Sequence, residues 1–315
     1  MRVDGIAQAD IRRALWESRT LVKAWTLRGT LHLHPAEELP MWFAARRALS
    51  AEATELPPWP DPHGVVHPPV SAAEVAKLRS AVSEAFDGRT LLRDELVTAV
   101  VDRIGNKHEG RLRSGFAFFL SELCHGPPQG TKITLARPDQ WIAGWRDVDE
   151  QEALRDVLHR FLRTYGPARP ADFRAWFGAE VSFDLVDVEA VEVEGHRAFV
   201  LAGDTDFPAL EKSVRLLPEY DVYVMGFRER DQLVPARVRE QVAAHGRGRY
   251  EGAAGVRFLL AEGVAVGLWE RKKSVRRIEI TVAPVRRVKR AELEREVTRI
   301  AGFFGVEPAL TVTGG

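Results

Sequence analysis

His32 and His34 are the first side chains in this sequence placed to do chemistry. They stand in the stretch Thr20 to Pro35, TLVKAWTLRGTLHLHP, alternating with Leu31 and Leu33, so they share one face of a strand. Imidazole exchanges protons near neutral pH, and Thr30 adds a hydroxyl beside it. An i, i+2 histidine pair can ligate zinc, but the sequence indicates no third ligand, and His63 and His67 fall in a proline-rich loop; no metal is expected. A second constellation is Tyr220-Asp221-x-Tyr223 followed by Arg228-x-Arg230. Asp221 suits orienting a water or pairing with an arginine, and Tyr220 and Tyr223 suit stacking on a planar base. The structural alternative is an Asp–Arg pair beside an aromatic core. Cys124, the single cysteine, falls on the apolar side of a predicted helix and reads as a buried inert thiol, with no disulfide to form. Gly126 to Lys132 fails the G-x-x-x-x-G-K-[ST] spacing, and its two prolines remove backbone donors, so no nucleotide cofactor is expected; none of any other kind is indicated.

The elements that must carry these residues follow from periodicity. Leu21 to Leu27 and Thr30 to His34 predict a β-hairpin, with Arg28-Gly29 at the turn, where glycine takes positive φ. Asp10 to Trp16 has helix character with Asp10 as N-cap. A short helix followed by a two-stranded hairpin is the back half of a winged helix. Residues 1–55 therefore read as a partial first winged helix, expected to begin in mid-domain and to end in a helix, Ala36 to Leu49. Leu56 to Pro69 holds six prolines and reads as a loop or linker.

Residues 71–138 read as a second winged helix. Val75, Leu78, Val82 and Phe86 form one helix face, Leu91 to Ile104 a second helix, and Leu112, Phe116, Phe119, Leu120 and Leu123 a third, with a strand from Lys132 to Leu135. The third helix would be the one offered to a DNA groove, with Lys107, Arg111 and Arg113 at its start suited to phosphates. Residues 149–206 read as a third unit: an amphipathic helix through Leu154, Val157, Leu158, Phe161, Leu162 and Tyr165, short helices at Pro170 to Phe177 and Phe183 to Val188, and a hairpin turning at Glu194-Gly195-His196. Residues 207–315 read as a β-rich subdomain, with strands at Arg215 to Val224, Arg257 to Glu262, Val264 to Glu270 and Arg276 to Ala283, then a helix through Leu293, Val297, Ile300 and Phe304. The fold class expected is α+β.

The wording of three stretches is more specific than their period. Trp25-x-x-Arg28-Gly29-Thr30-Leu31-His32-Leu33, Leu216-Leu217-Pro218-x-Tyr220-Asp221-x-Tyr223-x-Met225-Gly226-x-Arg228-x-Arg230, and Gly263-x-x-Val266-Gly267-x-Trp269 resemble, in order and spacing, the winged-helix DNA glycosylases of the AlkZ and YcaQ type, the helix-turn-helix 42 superfamily. The resemblance covers residues from about 5 to about 305. It implies three tandem winged-helix units, the first incomplete here, around a concave DNA-facing surface. It implies hydrolysis of the N-glycosidic bond of alkylated bases, N7-alkylpurines or crosslinked purines, with Thr30 and His32 lining a base or abasic-site pocket and Thr30, His32 and Asp221 as catalytic candidates. A non-catalytic DNA-binding or regulatory protein of the same fold is the alternative. The family's catalytic Gln-x-Gln element is expected upstream of the segment matching Arg2 to Trp16, and therefore before Met1. Within the chain, Gln8, Gln129, Gln140, Gln151, Gln232 and Gln241 include no pair spaced by one residue.

Composition bounds these readings. The 315 residues are 45% hydrophobic and 29% charged, ordinary for a globular protein. No apolar run reaches the ~18 residues of a membrane span, and MRVDGIAQAD lacks an apolar signal core; a cytoplasmic, nucleoid-associated protein is expected. Net charge is zero, but nine Lys or Arg residues and one acid, Glu279, lie between Arg271 and Arg290, while acids gather from Asp184 to Glu194. Clustering, not the sum, decides polyanion binding. Arg271, Lys272 and Lys273 at a hairpin tip, with Arg276 and Arg277 beyond it, and Arg28, Arg228 and Arg230 complete the expected contacts to double-stranded DNA.

Overall fold

The computed structural model describes residues 5–49, 55–114, 122–207, 209, 212–226, 230–245 and 255–313. The chain forms two compact units, one of residues 12–201, and one of residues 202–315 with residues 1–11. The architecture is mixed α+β, and no helix among the described residues is long and apolar enough to cross a membrane.

Helix α1 (Gln8–Trp16), whose residues from Arg12 on belong to the larger unit, leads into that unit's antiparallel strands β1 (Leu21–Trp25) and β2 (Leu31–Pro35). A 3-10 turn, Leu27–Gly29, joins them, with Arg28 at φ 51° and Gly29 at φ 68°. Helix α2 (Leu39–Leu49) buries seven consecutive residues from Leu39 to Ala45, so it is an interior element rather than a one-faced one. Short strands β3 (Trp59–Pro60) and β4 (Val66–His67) pair within the proline-rich stretch. Helix α3 (Ala72–Phe86) opens on a capping box between Ser71 and Glu74. The pair β5 (Leu91–Leu92) and helix α4 (Arg93–Ile104) follow, then α5 (Glu109–Ser114). The expected third-helix positions Phe116, Phe119 and Leu120 lie outside the described residues.

Strand β6 (Cys124–Gln129) pairs with β7 (Lys132–Ala136), and the sheet runs β2-β1-β6-β7-β5. One sheet thus joins the hairpin of residues 21–35 to the strands of the segment expected as a second unit, through Ala24 opposite Cys124. Cys124 is on a strand, not on the predicted helix, and its buried thiol is pushed up to about 12, mainly by burial. Pro127 and Pro128 are tolerated because the β6–β7 register shifts between Gly126 and Gln129, the kind of irregularity where a strand accepts proline. After α6 (Pro138–Trp141), α7 (Glu150–Tyr165) packs its apolar face on α2, and α8 (Pro170–Phe177) adds Phe173 and Trp176. The expected helix Phe183 to Val188 is one 3-10 turn, Phe183–Leu185, running into β8 (Val188–Val193). Strand β9 (His196–Leu201) pairs with β8 across Glu194-Gly195, both at positive φ as a two-residue hairpin turn requires.

In the C-terminal unit the sheet runs β10 (Val214–Leu216), β11 (Phe258–Ala261), β12 (Val264–Lys273), β13 (Arg277–Pro284), β14 (Glu307–Val312). The predicted strand Arg215 to Val224 stops at Leu216. Pro218 has no N–H for a ladder, Tyr220 takes φ 57°, and the Asp221 carboxylate accepts from the Tyr223 N–H at 2.9 Å to start helix α9 (Val222–Gly226). Helix α10 (Ala236–His245) lies beyond it. Helix α11 (Arg290–Phe304) packs on the sheet through Leu293, Val297 and Ile300, and returns the chain so that β14 runs parallel to β13.

Candidate nucleic-acid interface

The first hairpin turns its polar alternate positions inward. Ala24 faces His32 and Val22 faces His34 across the register, and Val22, Ala24 and His34 are buried while Leu31 and Leu33 are exposed. The histidines therefore turn inward and the leucines outward. Hydrogen bonding makes this tolerable. Thr26 Oγ1 and His34 Nε2 are 2.9 Å apart with both residues buried, and the His34 ring lies against Trp42, which meets Trp176. Burial, then the neighbouring His32, pushes His34 down to about 4, so it is neutral at physiological pH.

His32 is half-buried, with Nδ1 2.9 Å from the Thr30 carbonyl oxygen. A carbonyl only accepts, so Nδ1 carries the proton and Nε2 is the ring's acceptor. Burial pushes its pKa down; the Thr30 carbonyl opposes this and the Arg28 charge reinforces it. A neutral imidazole with an accepting nitrogen can take a proton from water or hold a polar base edge. Thr30 is exposed and its hydroxyl donates to the Leu27 carbonyl at 2.8 Å. Thr30 and His32 are thus brought together on one reachable edge strand.

Arg28 has a different place. Its guanidinium donates to the carbonyls of Ala175, at 3.1 Å, and Trp176, at the C-terminal end of α8. A cation there complements the helix dipole and ties the wing turn to α8. Lys107, Arg111 and Arg113 are likewise engaged within the protein. Lys107 meets Glu74 at 2.5 Å, Arg111 donates to the carbonyls of Pro57 and Pro68, and Arg113 pairs with Glu109 at 2.9 Å and Asp94 at 3.7 Å. Glu74 also accepts from Ser71 and sits 3.1 Å from His108, and these contacts, Lys107 first, hold its carboxyl well below the usual range. A cleft of about 670 Å³ in the same unit is lined by Arg47, Arg79 and Arg137, which pair with Glu150, Glu122 and Asp139.

In the C-terminal unit Asp221 caps α9, Tyr223 Oη donates to the Gly263 carbonyl at 3.0 Å, and Arg230 Nε donates to the Val224 carbonyl. Trp269 Nε1 donates to the Leu217 carbonyl at 2.8 Å. The two sequence motifs of this unit are therefore fastened to each other. Tyr220, 64% exposed, is the aromatic of this group that remains open for stacking. Arg228 lies outside the described residues.

The basic hairpin gathers the exposed cations. Arg271, Lys272, Lys273, Arg276 and Arg277 are all exposed around one turn. Arg271 and Lys273 sit over the Phe304 ring, at 5.3 and 5.6 Å from its centroid. Arg277 is 3.8 Å from Glu279. The sequence did not announce Thr26 and Trp42 against His34, or Phe304 under the cations. Alternation signalled a shared histidine face but not which face was inward. Among the described residues, no three His, Cys, Asp or Glu side chains gather as a metal site.

The described residues thus form a mixed α+β chain with two-stranded hairpins and one exposed cationic turn. The family model for AlkZ-like DNA glycosylases matches residues 1–303, and the chain belongs to that family. An interstrand DNA cross-link repair glycosylase of Streptomyces sahachiroi is 32% identical over 317 aligned residues, covering 91% of this chain and 80% of that protein. The solved structure of S. sahachiroi DNA glycosylase AlkZ superposes with a TM-score of 0.77 at 26% identity, over 96% of this chain and 84% of that one.

Proposed function

We propose that this protein binds double-stranded DNA carrying alkylated or crosslinked bases, with the Arg271–Arg277 hairpin on the phosphates and Thr30 and His32 at the base or abasic site. The observation that carries this reading is the concentration of five exposed cations on one hairpin turn in a chain of the glycosylase family. Three helix–wing units, ending in the hairpins β1–β2, β6–β7 and β8–β9, would form the DNA-facing surface, and β10 to β14 with α11 a separate subdomain. Arg28, Lys107, Arg111 and Arg113 then support the scaffold and contribute little to phosphate binding.

On the chemistry, N-glycosidic hydrolysis builds positive charge on the sugar and needs a water held against it. His32, neutral with Nε2 as acceptor, is the side chain suited to hold that water, and Asp221 is committed to capping α9. The engagement of Thr30 Oγ1 with the Leu27 carbonyl and of Asp221 with the α9 cap favours a second reading, a non-catalytic DNA-binding or regulatory protein of the same fold. Release of 7-methylguanine from methylated duplex DNA separates the two. Robust release that disappears in His32→Ala establishes the enzyme with His32 at its centre. DNA binding without release establishes the binder.

A further inference from the structure

Val275 stands at the apex of the basic hairpin and is 91% exposed; the next most exposed large apolar residue among those described, Val66, is at 66%. Scattered apolar residues on a surface need no explanation. This one differs in three respects. First, turns of this kind ordinarily carry Gly, Asn, Asp, Pro or Ser, so a β-branched residue is the less expected choice. Second, the turn is rigid. Ser274 N–H donates to the Arg277 carbonyl at 2.8 Å, Ser274 Oγ donates to the same carbonyl at 3.1 Å, and Arg277 N–H donates to Ser274 Oγ at 3.1 Å. Val275 is therefore held out on a fixed frame whose next strand pair, Lys273 and Ile278, is already part of the sheet. Third, its neighbours from Arg271 to Arg277 include five cations and no acid.

An apolar tip set inside a ring of cations complements a ligand with anions outside and a stacked apolar interior, which describes duplex DNA. We propose that Val275 enters the base stack as a wedge while the flanking cations hold the phosphates on either side. This rests on the DNA-binding reading above. Removing a valine side chain from water is favourable and offsets much of the cost of unstacking one base step. The wedge would open a step beside a damaged base and ease its passage out of the helix, which chemistry on a base in a duplex requires. An anionic membrane surface is the other large partner with a charged face over an apolar interior, and it enters as an outcome of the test.

The test uses the full chain and a set of short duplexes with 2-aminopurine at successive positions, whose fluorescence rises on unstacking. The wild type should raise it at low salt. Val275→Ser should bind with the same salt dependence yet lose the rise, and Val275→Phe should keep or enlarge it. Both substitutions are at an exposed site and leave the fold intact. Binding without any rise, or a rise unchanged in Val275→Ser, overturns the wedge while leaving DNA binding standing. Failure of the wild type to bind duplex at low salt overturns both. Val275-dependent binding to phosphatidylserine vesicles, with no unstacking of DNA, also overturns the wedge.

Discussion

Thr26 and His34 face each other across the base of the first hairpin, Oγ1 to Nε2 at 2.9 Å, in a position shielded from water. This pair explains how a strand with the pattern Leu-His-Leu-His folds with its histidines inward. A neutral imidazole can be buried if one nitrogen is bonded, and a protonated one here would lie against Trp42 and beside His32. The hairpin is therefore built for neutral histidine.

That has a consequence in acid. His34 and His125 are both buried and both pushed from 6.5 to about 4, His34 by burial and then His32, His125 by burial and then the Lys23 charge. Below 6.5 the unfolded chain takes up protons that the folded chain refuses until about 4. Stability of the larger unit should fall as pH drops through that window and level off beneath it. At about 1.4 kcal/mol per pH unit, each histidine accounts for a loss on the order of 3 kcal/mol. His125 packs edge-on against Trp25, and its Nε2 has no hydrogen-bond partner among the described residues. His125→Phe should keep the packing and remove about half of the acid slope in urea unfolding. An unaltered slope would show that the imidazole is not the group responsible.

Arg28 separates a structural cation from a DNA contact. Arg28→Ala removes the donors to Ala175 and Trp176 and leaves a non-glycine residue at φ 51°. The expected loss is about 1 to 2 kcal/mol in unfolding of the larger unit. The salt dependence of DNA binding should not change. A slope lowered by about one, with stability intact, would instead make Arg28 a phosphate contact.

Gly267 is a packing requirement within the motif it shares with Gly263 and Trp269. A Cβ at this position would lie 2.4 Å from the Ala283 carbonyl oxygen and 2.7 Å from Pro284 Cα, both backbone of the paired strand. Gly267→Ala should therefore cost more than about 3 kcal/mol, since the contact can relax only by parting β12 from β13. Thermal unfolding of the C-terminal unit reads this directly, and a variant as stable as wild type would refute the close approach.

Turn chemistry made the hairpins legible in the sequence. Arg28-Gly29, Glu194-Gly195 and Glu262-Gly263 each take paired positive φ, and the Val75–Phe86 face and the Leu154–Tyr165 stripe marked two helices. The longer-range arrangement was less visible. Alternation gave the shared face of His32 and His34 but not its direction, which depends on Thr26 and on Trp42 from α2. The partners of Lys107 and Arg111, Glu74 and the carbonyls of Pro57 and Pro68, are distant in sequence, and no local pattern announces them. Strand β14 pairs in parallel after a helical return, a relationship no local pattern encodes. Asp221 caps α9 within its own motif, and the Tyr223 hydroxyl joins that motif to the one at Gly263.

The most direct test of the account is duplex-DNA affinity as a function of salt, for the wild type and for a variant with Arg271, Lys272 and Lys273 changed together to Ala. Arg271 and Lys273 lose their contacts with Phe304, worth about 0.5 to 1 kcal/mol each at an exposed site, so the variant should fold with a modest loss of stability. With roughly 6 phosphates neutralised, wild-type affinity should fall by about 10³ between 50 and 200 mM salt. The variant should bind every sequence more weakly, with a slope shallower by about 2 to 3. Equal affinity and equal slope for the two proteins would contradict the assignment of this hairpin as the DNA-binding element.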